Sequence, residues 1–366
     1  MELYETGNLM EKMLQMKADK SRTPLGGSIE LLPLCNMNCK MCYVHQNKEE
    51  MDAEGRMLTC DEWLRIAQEG RDMGILFLLL TGGEPLLYPE FKRLYTGLSK
   101  MGIILSVNTN GTLINEEWAD FFAENGVRRL NITLYGKDNE TYEELCGNPK
   151  GFTQVMRAAS LLKERQVAFR FTCSLTPDNR DQLPELYKIA KSFDLPLAPA
   201  DYMFPATRRD KTAEEQYRMP PEEGGKTVIE SYRCRYPNAD IVLAAKQTLD
   251  SMKEAPRLKD RKGFSCHAGH SGFWMNWKGE LTACGMFPEP SISLLEHSFS
   301  ECWNYLVTAC EQMPQCETCK SCEKQNICQI CPAKCYTETG STDGCPDYVC
   351  KMTDAMLLEL EKLSAN

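Results

Sequence analysis

The chain has 366 residues, of which 42% are hydrophobic and 26% are charged, and its formal net charge is −10. These values are ordinary for a globular protein that forms one large domain or two smaller ones. The acidic balance argues against a general nucleic-acid binder, and the lack of any apolar run of about eighteen residues argues against a membrane span. The N-terminus lacks a charged region followed by an apolar one, so we expect no secretory signal and a cytoplasmic location.

Residues 1–27 are predicted to form an N-terminal arm with a weakly amphipathic helix. Residues 28–203 then alternate between strand-like and helix-like segments, which is typical of βαβ units around a parallel sheet. One of these segments, Ile75–Leu80, is wholly apolar, as expected for a parallel strand buried on both faces. The predicted strands are Ile29–Leu34, Ile75–Leu80, Ile103–Asn108, Arg129–Tyr135, Ala168–Leu175 and Leu195–Met203; the predicted helices are Thr59–Met73, Pro89–Met101, Asn115–Asn125, Phe152–Arg165 and Asp181–Phe193.

The alternation ends after residue 203. Residues 204–262 are broken by Pro and Gly pairs and are predicted to form a connecting segment with one helix or two. Residues 263–350 contain few periodic elements but hold twelve of the nineteen cysteines, whereas seven lie earlier in the chain. In a long chain without a secretory signal, this density indicates metal ligation rather than disulfides. Residues 351–366 are predicted to form a C-terminal helix.

A loop with three cysteines, Cys35-Asn-Met-Asn-Cys39-Lys-Met-Cys42, follows the first predicted strand. This spacing allows three thiolates to bind one [4Fe–4S] cluster, which normally takes four. The iron that lacks a protein ligand can then bind a reactive molecule, as any open metal position can. A closed zinc site with His45 as the fourth ligand is the alternative that these residues alone leave open.

This cysteine loop closely resembles that of the radical S-adenosylmethionine (SAM) enzymes. The resemblance implies an α/β fold with a partial (β/α)6 TIM-like barrel, a [4Fe–4S] cluster on the three cysteines, and SAM bound to the fourth iron. Relatives often have an aromatic residue just before the third cysteine. This chain has Met41 there and Tyr43 just after it, so Tyr43 is the aromatic residue expected to contact SAM. Sites on such sheets lie at the C-terminal ends of strands, which is where this loop falls.

The turn Thr81-Gly82-Gly83-Glu84-Pro85 directly follows the second predicted strand. Taken alone, it is a strand-to-helix turn in which a Gly pair lets the backbone approach another group closely. Together with the cysteine loop, it resembles the family motif that contacts the amino group of SAM. The resemblance therefore implies that Gly82, Gly83 and Glu84 are SAM contacts.

Polar residues also end the third and fourth predicted strands, and Asn108, Asn110 and Thr133 are expected to contact the ribose of SAM. Relatives often carry an Arg shortly afterwards that reaches the carboxylate of SAM, but residues 142–147 of this chain contain none. The same stretch contains Cys146, which is either a buried apolar residue or a catalytic hydrogen-atom donor.

The C-terminal cysteines include Cys266, Cys284 and the array Cys319-x2-Cys322-x5-Cys328-x2-Cys331-x3-Cys335, followed by Cys345 and Cys350. This pattern resembles the SPASM domain, a small irregular domain that carries auxiliary clusters in radical SAM enzymes that modify peptides and proteins. Cys331 comes one residue earlier than the family pattern places it.

The SPASM resemblance implies two auxiliary [4Fe–4S] clusters. The distal cluster would use Cys319, Cys322, Cys328 and Cys350. The proximal cluster would use Cys266, Cys284 and Cys331, with Cys335 or Cys345 as the candidate for its fourth ligand. Cys316 is an alternative ligand, whereas Cys302 and Cys310 are expected to be packing residues of a helix.

Together the resemblances imply an enzyme that reductively cleaves SAM to a 5′-deoxyadenosyl radical. The radical would take hydrogen from a residue of a ribosomally made peptide, and a thioether or carbon–carbon crosslink would form. The expected partners are a peptide or protein substrate, an electron donor such as flavodoxin or ferredoxin, and in some cases a separate peptide-recognition protein. Neither nucleic acid nor membrane is expected.

Three alternative functions compete with this one. Anaerobic sulfatase maturases carry an acidic base directly after the cysteine that matches Cys284, where this chain has Gly285-Met286. A radical SAM enzyme that acts on a small molecule is the second alternative. The third is a non-enzymatic iron–sulfur electron carrier or zinc-stabilised interaction protein, which would have no use for a Gly-Gly-Glu-Pro motif.

Overall fold

The computed structural model describes residues 9–200, 202–206, 217–252 and 263–365. Its strands are β1 (Gly26–Glu30), β2 (Phe77–Thr81), β3 (Ile104–Thr109), β4 (Arg129–Thr133), β5 (Phe169–Ser174), β6 (Leu197–Ala200), β7 (Gly272–Met275), β8 (Glu280–Cys284) and β9 (Phe287–Ser293). Within the described ranges they form one sheet in the order β6-β5-β4-β3-β2-β1-β7-β8-β9. Strands β1 to β6 pair in parallel, which confirms the predicted α/β fold.

Helices cover the sheet and connect its strands. They are α1 (Leu9–Ser21), α2 (Lys48–Glu54), α3 (Cys60–Met73), α4 (Phe91–Lys100), α5 (Glu116–Asn125), α6 (Asn139–Cys146), α7 (Gly151–Glu164), α8 (Leu183–Ser192), α9 (Pro221–Arg235), α10 (Asn238–Ser251), α11 (Phe299–Glu311), α12 (Glu317–Lys320), α13 (Pro332–Thr339) and α14 (Asp347–Ser364). No helix among the described residues is long and apolar enough to cross a bilayer.

Capping residues explain why several helix starts were predicted correctly. Thr59 caps α3 and forms the expected capping box with Glu62, so that each side chain binds a backbone N–H of the other. Asn115 caps α5, which ends at Gly126 with a φ of 68°. The described part of the connecting segment contains helices α9 and α10, both packed against α14.

Several elements differ from the prediction, and three of these differences concern the surroundings of the cysteines. Strand β1 ends at Glu30, four residues early, because the chain after Leu31 turns into the cysteine loop. Helix α6 was not predicted, since its sequence is short and polar, although Asp138 caps it with a side-chain hydrogen bond. Helix α14 begins at Asp347 rather than at residue 351, inside the range predicted for the cysteine-rich domain.

The cysteine-rich region adds three strands to the barrel sheet, which its irregular sequence did not suggest. Strand β7 pairs in parallel with β1, and β8 and β9 continue the sheet in antiparallel order. The close pairing depends on Gly27, because a Cβ atom there would lie 2.2 Å from the Phe273 ring. Buried residues of the barrel and of β7 to β9 belong to one hydrophobic core. The barrel and the cysteine-rich region are therefore fixed relative to each other.

Candidate active site

The turn after β2 packs directly against the cysteine loop. The N–H group of Gly83 donates to the carbonyl of Leu32 at 2.8 Å, and that of Glu84 donates to the carbonyl of Leu34 at 2.9 Å. A Cβ atom on Gly83 would lie 2.3 Å from the Leu34 carbonyl oxygen, and one on Gly82 would lie 2.5 Å from that of Leu32. The glycine pair therefore permits this approach, and its carbonyl oxygens are the acceptors that an ammonium group of a ligand would need.

The C-terminal end of α6 holds the other side of the cysteine loop. The N–H groups of Asn38 and Lys40 donate to the carbonyls of Cys146 and Leu145 at 3.0 and 2.8 Å. These carbonyls are available because the last turn of a helix leaves its C=O groups without helical partners. Cys146 has no exposed surface. This burial favours its role as an apolar packing residue, since a hydrogen-atom donor must reach a substrate carbon.

N–H groups approach two of the three sulfurs in the loop. The backbone N atoms of Met37 and His45 lie 3.4 Å from Cys35 Sγ and 3.3 Å from Cys42 Sγ, and Asn110 Nδ2 lies 3.6 Å from Cys35 Sγ. Burial raises the pKa of Cys35 to about 12, so this thiol stays protonated until a metal replaces the proton. N–H···S contacts stabilise metal-bound thiolates and tune the potential of iron–sulfur clusters.

Three side chains form a closed ring beside Cys35. Asn110 Nδ2 donates to Asn36 Oδ1 at 2.8 Å, Asn36 Nδ2 donates to Thr112 Oγ1 at 2.9 Å, and the Thr112 hydroxyl donates to Asn110 Oδ1 at 2.7 Å. Of these three residues, only Asn110 was predicted to be a site residue, as a contact of the ribose. The ring shows that Asn110 also orients the start of the cysteine loop, a role that no local spacing could reveal because Thr112 lies 76 residues from Asn36.

Glu84 joins the ends of β2 and β3. Its fully buried carboxylate accepts hydrogen bonds from the Thr109 hydroxyl at 2.8 Å and from the N–H groups of Asn110 and Leu86 at 2.8 and 3.1 Å. Burial raises its pKa to about 7, although the three hydrogen bonds act in the opposite direction. The carboxylate of Glu84 is therefore occupied by hydrogen bonds within the protein. We expect the predicted contact of Glu84 with SAM to involve its backbone rather than its side chain.

A row of polar side chains crosses β3, β4 and β5. Asn108, Asn131 and Arg170 are partners in the strand register. Asn131 Nδ2 donates to Asn108 Oδ1 at 2.7 Å, and Arg170 Nε donates to Asn131 Oδ1 at 2.8 Å. Thr133 lies at the end of β4 and receives a 3.4 Å hydrogen bond from Thr172. Arg170 on the fifth strand thus adds a guanidinium group to this row, and the sequence pattern gave no signal for it.

Tyr43, the remaining residue predicted to contact SAM, is half-buried directly after Cys42. Its role, like those of Asn108 and Thr133, stays a prediction.

The C-terminal cysteines other than Cys302 and Cys310 fall into three groups. The first group is Cys266, Cys284 and Cys331. Burial is the main cause that raises the pKa of Cys284 to about 11, and the neighbouring Cys331 and Cys266 act in the same direction. These are the cysteines that the resemblance assigned to the proximal cluster.

In the second group, the sulfurs of Cys316, Cys319 and Cys345 lie within 4.8 Å of one another. Cys335 adjoins them, and its pKa is raised to about 12 by burial and then by the charge of Cys316. The resemblance assigns Cys319 to the distal cluster, and this assignment stays a prediction; in the structure Cys319 lies beside Cys316 and Cys345.

The third group is Cys322, Cys328 and Cys350. The pKa of Cys350 is raised to about 12, mainly by burial. The neighbouring Cys345, Cys328 and Cys322 act in the same direction. Cys345 Sγ lies 3.9 Å from Cys350 Sγ and so links the second and third groups. Outside all three groups, Cys302 and Cys310 are buried in α11, as predicted for packing residues.

Comparison with known proteins identifies the barrel. A profile described as the radical SAM superfamily matches residues 29–190, which run from β1 into α8. The barrel is therefore a radical SAM domain. Proteins of this family use a [4Fe–4S] cluster and SAM, and the C-terminal cysteine cluster fits the auxiliary clusters of a SPASM domain.

Several known proteins are similar to this chain over most of its length. The AdoMet-dependent heme synthase of Methanosarcina barkeri is 22% identical over 85% of this chain and 92% of its own length. The PqqA peptide cyclase of Granulibacter bethesdensis is 23% identical over 93% of this chain and 91% of its own. The crystal structure of Streptococcus suis SuiB bound to the precursor peptide SuiA covers 96% of this chain and 84% of that chain, with 17% identity and a TM-score of 0.68.

Proposed function

We propose that this radical SAM enzyme modifies a ribosomally made peptide and forms a thioether or carbon–carbon crosslink in it. The observation that carries the proposal is the shared sheet, which fixes the cysteine-rich region next to the cysteine loop of the barrel. At the junction, Trp274 Nε1 on β7 donates to Glu30 Oε2 at the end of β1 at 3.3 Å. The full-length similarity to a peptide cyclase and the peptide-bound state of SuiB support a peptide substrate.

We assign the ligands of the SAM-binding cluster to Cys35, Cys39 and Cys42. The loop that carries them is held from two sides, and N–H groups approach the sulfurs of Cys35 and Cys42, so these residues fit a negatively charged metal centre. When bound, this cluster and SAM supply the 5′-deoxyadenosyl radical that takes a hydrogen atom from the peptide, and the auxiliary clusters supply an acceptor for the second electron.

The polar groups around the loop would orient SAM. The carbonyls of Gly82 and Gly83 would accept hydrogen bonds from its ammonium group. Arg170 would pair with its carboxylate, while Asn108 and Thr133 would contact the ribose. Binding of this kind holds the reacting bond close to the substrate carbon, and a well-packed wall around the site keeps water from the radical.

We assign Cys266, Cys284 and Cys331 to the proximal auxiliary cluster, and Cys319, Cys322, Cys328 and Cys350 to the distal one. Cys331 and Cys266 neighbour Cys284, and Cys328 and Cys322 neighbour Cys350. The Met286 N–H group lies 3.5 Å from Cys284 Sγ, an N–H···S contact like those in the cysteine loop.

Packing around Cys284 argues against sulfatase-maturase chemistry. The residue after this cysteine is Gly285, and a Cβ atom there would lie 2.7 Å from the Trp274 indole ring. No side chain fits at this position without moving the ring, so the acidic base that the resemblance places there in sulfatase maturases has no room. Chemistry on a small molecule is the second candidate, because the heme synthases match 85% of the chain.

One experiment separates the two candidates. Protein reconstituted without oxygen would be reduced with dithionite and given SAM with either a pool of cysteine-containing peptides or an iron tetrapyrrole. The proposal predicts that the peptides raise 5′-deoxyadenosine formation and that one of them loses two hydrogen atoms by mass spectrometry. Stimulation by the tetrapyrrole alone would favour the second candidate and refute the first.

Two variants control this assay. Cys42→Ala is expected to abolish SAM cleavage, whereas Cys234→Ser, at an exposed cysteine outside the three groups and the loop, is expected to leave it unchanged. If Cys42→Ala still cleaves SAM, the assignment of the cysteine loop fails.

A further inference from the structure

The inner face of the barrel sheet carries two arginines on neighbouring strands. Side chains along a strand alternate between the two faces of its sheet. On β5, Phe171 packs against Phe193 at the end of α8 with ring centroids 5.7 Å apart, so its face of the sheet meets the helices. Arg170 therefore points to the opposite face, inside the barrel. Asn131 is the register partner of Arg170 and shares this inner face, as does Arg129 two residues earlier on β4.

The side chains of Arg129 and Arg170 meet at one acceptor. Arg129 Nε donates to Asn131 Oδ1 at 3.2 Å, and Arg170 Nε donates to the same oxygen at 2.8 Å. The other charged residue in strands β1 to β6 is Glu30, which is fully buried at the end of β1 and accepts a hydrogen bond from Trp274. The two guanidinium groups therefore concentrate positive charge inside a chain whose formal net charge is −10.

Open space lies beside Arg129. A cavity of about 240 Å³ is lined by Gly26 and Gly272 at the N-terminal edge of the sheet and by Leu79 and Ser106 on its inner face. Ser106 is the register partner of Arg129, which is itself half-buried, so the cavity reaches the position next to this arginine. A group that enters the barrel here would therefore meet a guanidinium group.

The charge of Arg129 is not balanced by a carboxylate in the part of the chain that the structure describes. Its one side-chain hydrogen bond there is the one to Asn131, and no described carboxylate forms an ion pair with it. Glu11 lines the same cavity, but its carboxylate is paired with Arg128. A guanidinium group that is partly removed from water is stabilised by an anion, and its fork of N–H donors matches the two oxygens of a carboxylate. These contacts favour a carboxylate as the ligand of Arg129.

We propose that Arg129 binds a carboxylate of the substrate, so that the substrate peptide carries an acidic residue close to the residue that loses hydrogen. This inference rests on the proposed function, in which Arg170 pairs with the carboxylate of SAM. The neighbouring guanidinium of Arg129 then serves the substrate. An acidic side chain held inside the barrel fixes which neighbouring residue faces the radical, so Arg129 is a specificity-determining residue.

Peptide binding by the full chain tests this site. Protein reconstituted without oxygen and saturated with SAM would be dialysed to equilibrium against two pools of cysteine-containing peptides, which have either Glu or Gln at the same positions near the cysteine. Mass spectrometry of both compartments gives the affinity of each pool. Because a hydrogen bond to a charged group is worth about 10-fold or more in affinity, the Glu pool should bind more tightly by about that factor.

Three variants locate the preference for Glu. Arg129→Gln should abolish it, whereas Arg129→Lys, which keeps the positive charge, should retain part of it. Arg157→Gln is the matched control, because Arg157 is an exposed arginine on α7 that pairs with Glu116. This control should keep the full preference.

Three results would overturn the proposal. Equal binding of the two pools by wild type would show that no carboxylate is selected, and this comparison decides even if Arg129→Gln is insoluble. An unchanged preference in Arg129→Gln would show that the carboxylate binds elsewhere. A rise of about 10-fold or more in the Kd for SAM in Arg129→Gln would show that Arg129 serves SAM instead.

The source of the carboxylate is tested with an iron tetrapyrrole that bears propionate groups and with its methyl ester. Binding of the free acid but not of the ester, without a preference for Glu peptides, would refute the acidic peptide. If wild type modifies Glu and Gln peptides equally, this inference fails and the proposed function stands. If Glu peptides bind through Arg129 but no peptide loses hydrogen, the proposed function fails and the carboxylate site stands.

Discussion

Replacing Gly83 by Ala tests whether the turn after β2 positions the cysteine loop. The new Cβ atom would lie 2.3 Å from the Leu34 carbonyl oxygen and 2.6 Å from that of Pro33. To restore an ordinary van der Waals distance, the backbone that leads into Cys35 must shift by about 1 Å. Because a 1 Å displacement near reacting groups can cost about 10²-fold in rate, we expect SAM cleavage to fall by about that factor. The assay is 5′-deoxyadenosine formation per cluster under dithionite.

Gly126→Ala is the matched control. Gly126 ends α5 with a φ of 68°, and no atom lies within 4 Å of a Cβ placed there. This variant should lose about 1 kcal/mol of stability from backbone strain alone and keep SAM cleavage within about a factor of two. Wild-type rates in Gly83→Ala, or an equal loss in both variants, would refute the positioning role of Gly83.

Three further predictions follow from the site. Because burial raises the pKa of Glu84 from 4.5 to about 7, the folded chain holds this proton more tightly than the unfolded chain. Its contribution to the free energy of unfolding should fall by up to about 3 kcal/mol between about pH 4 and pH 8, and parallel Tm–pH curves for wild type and Glu84→Gln would contradict this. Arg170→Gln should raise the Kd for SAM about 10-fold or more in equilibrium dialysis, since a charge-assisted hydrogen bond is worth about 1.5–3 kcal/mol; an unchanged Kd would exclude Arg170 as the carboxylate partner. Gly285→Asp should destabilise the protein by about 1–3 kcal/mol against the Trp274 ring without creating a catalytic base, and unchanged stability would show that the ring yields freely.

Much of the barrel was predictable from local signals. Thr59 and Asn115 mark helix starts because each side chain binds the free N–H groups of a first turn. The parallel strands can be recognised in the sequence because both faces of the sheet are buried, which gives each strand a nearly continuous apolar run. Helix α6 escaped prediction because its polar sequence carries a weak pattern, yet its last carbonyls hold the cysteine loop.

The remaining features depend on contacts between distant parts of the chain. The pairing of β7 with β1 joins residues more than 240 positions apart, so no local pattern encodes it. The same holds for Arg170, which reaches Asn131 only through the register of β4 and β5. Cysteine spacing predicted that the C-terminal region binds metal, but only the folded positions place Cys319 beside Cys345.

The central claim is that the loop of Cys35, Cys39 and Cys42 holds the SAM-binding cluster. The most direct test measures iron and acid-labile sulfide per chain in wild type and in the Cys35/Cys39/Cys42→Ala triple variant, both reconstituted without oxygen. One cluster in the barrel and two in the cysteine-rich region predict about twelve irons in wild type and about eight in the variant, with SAM cleavage lost. Equal iron in the two proteins, or SAM cleavage by the variant, would show that the cysteine loop does not hold the SAM-binding cluster.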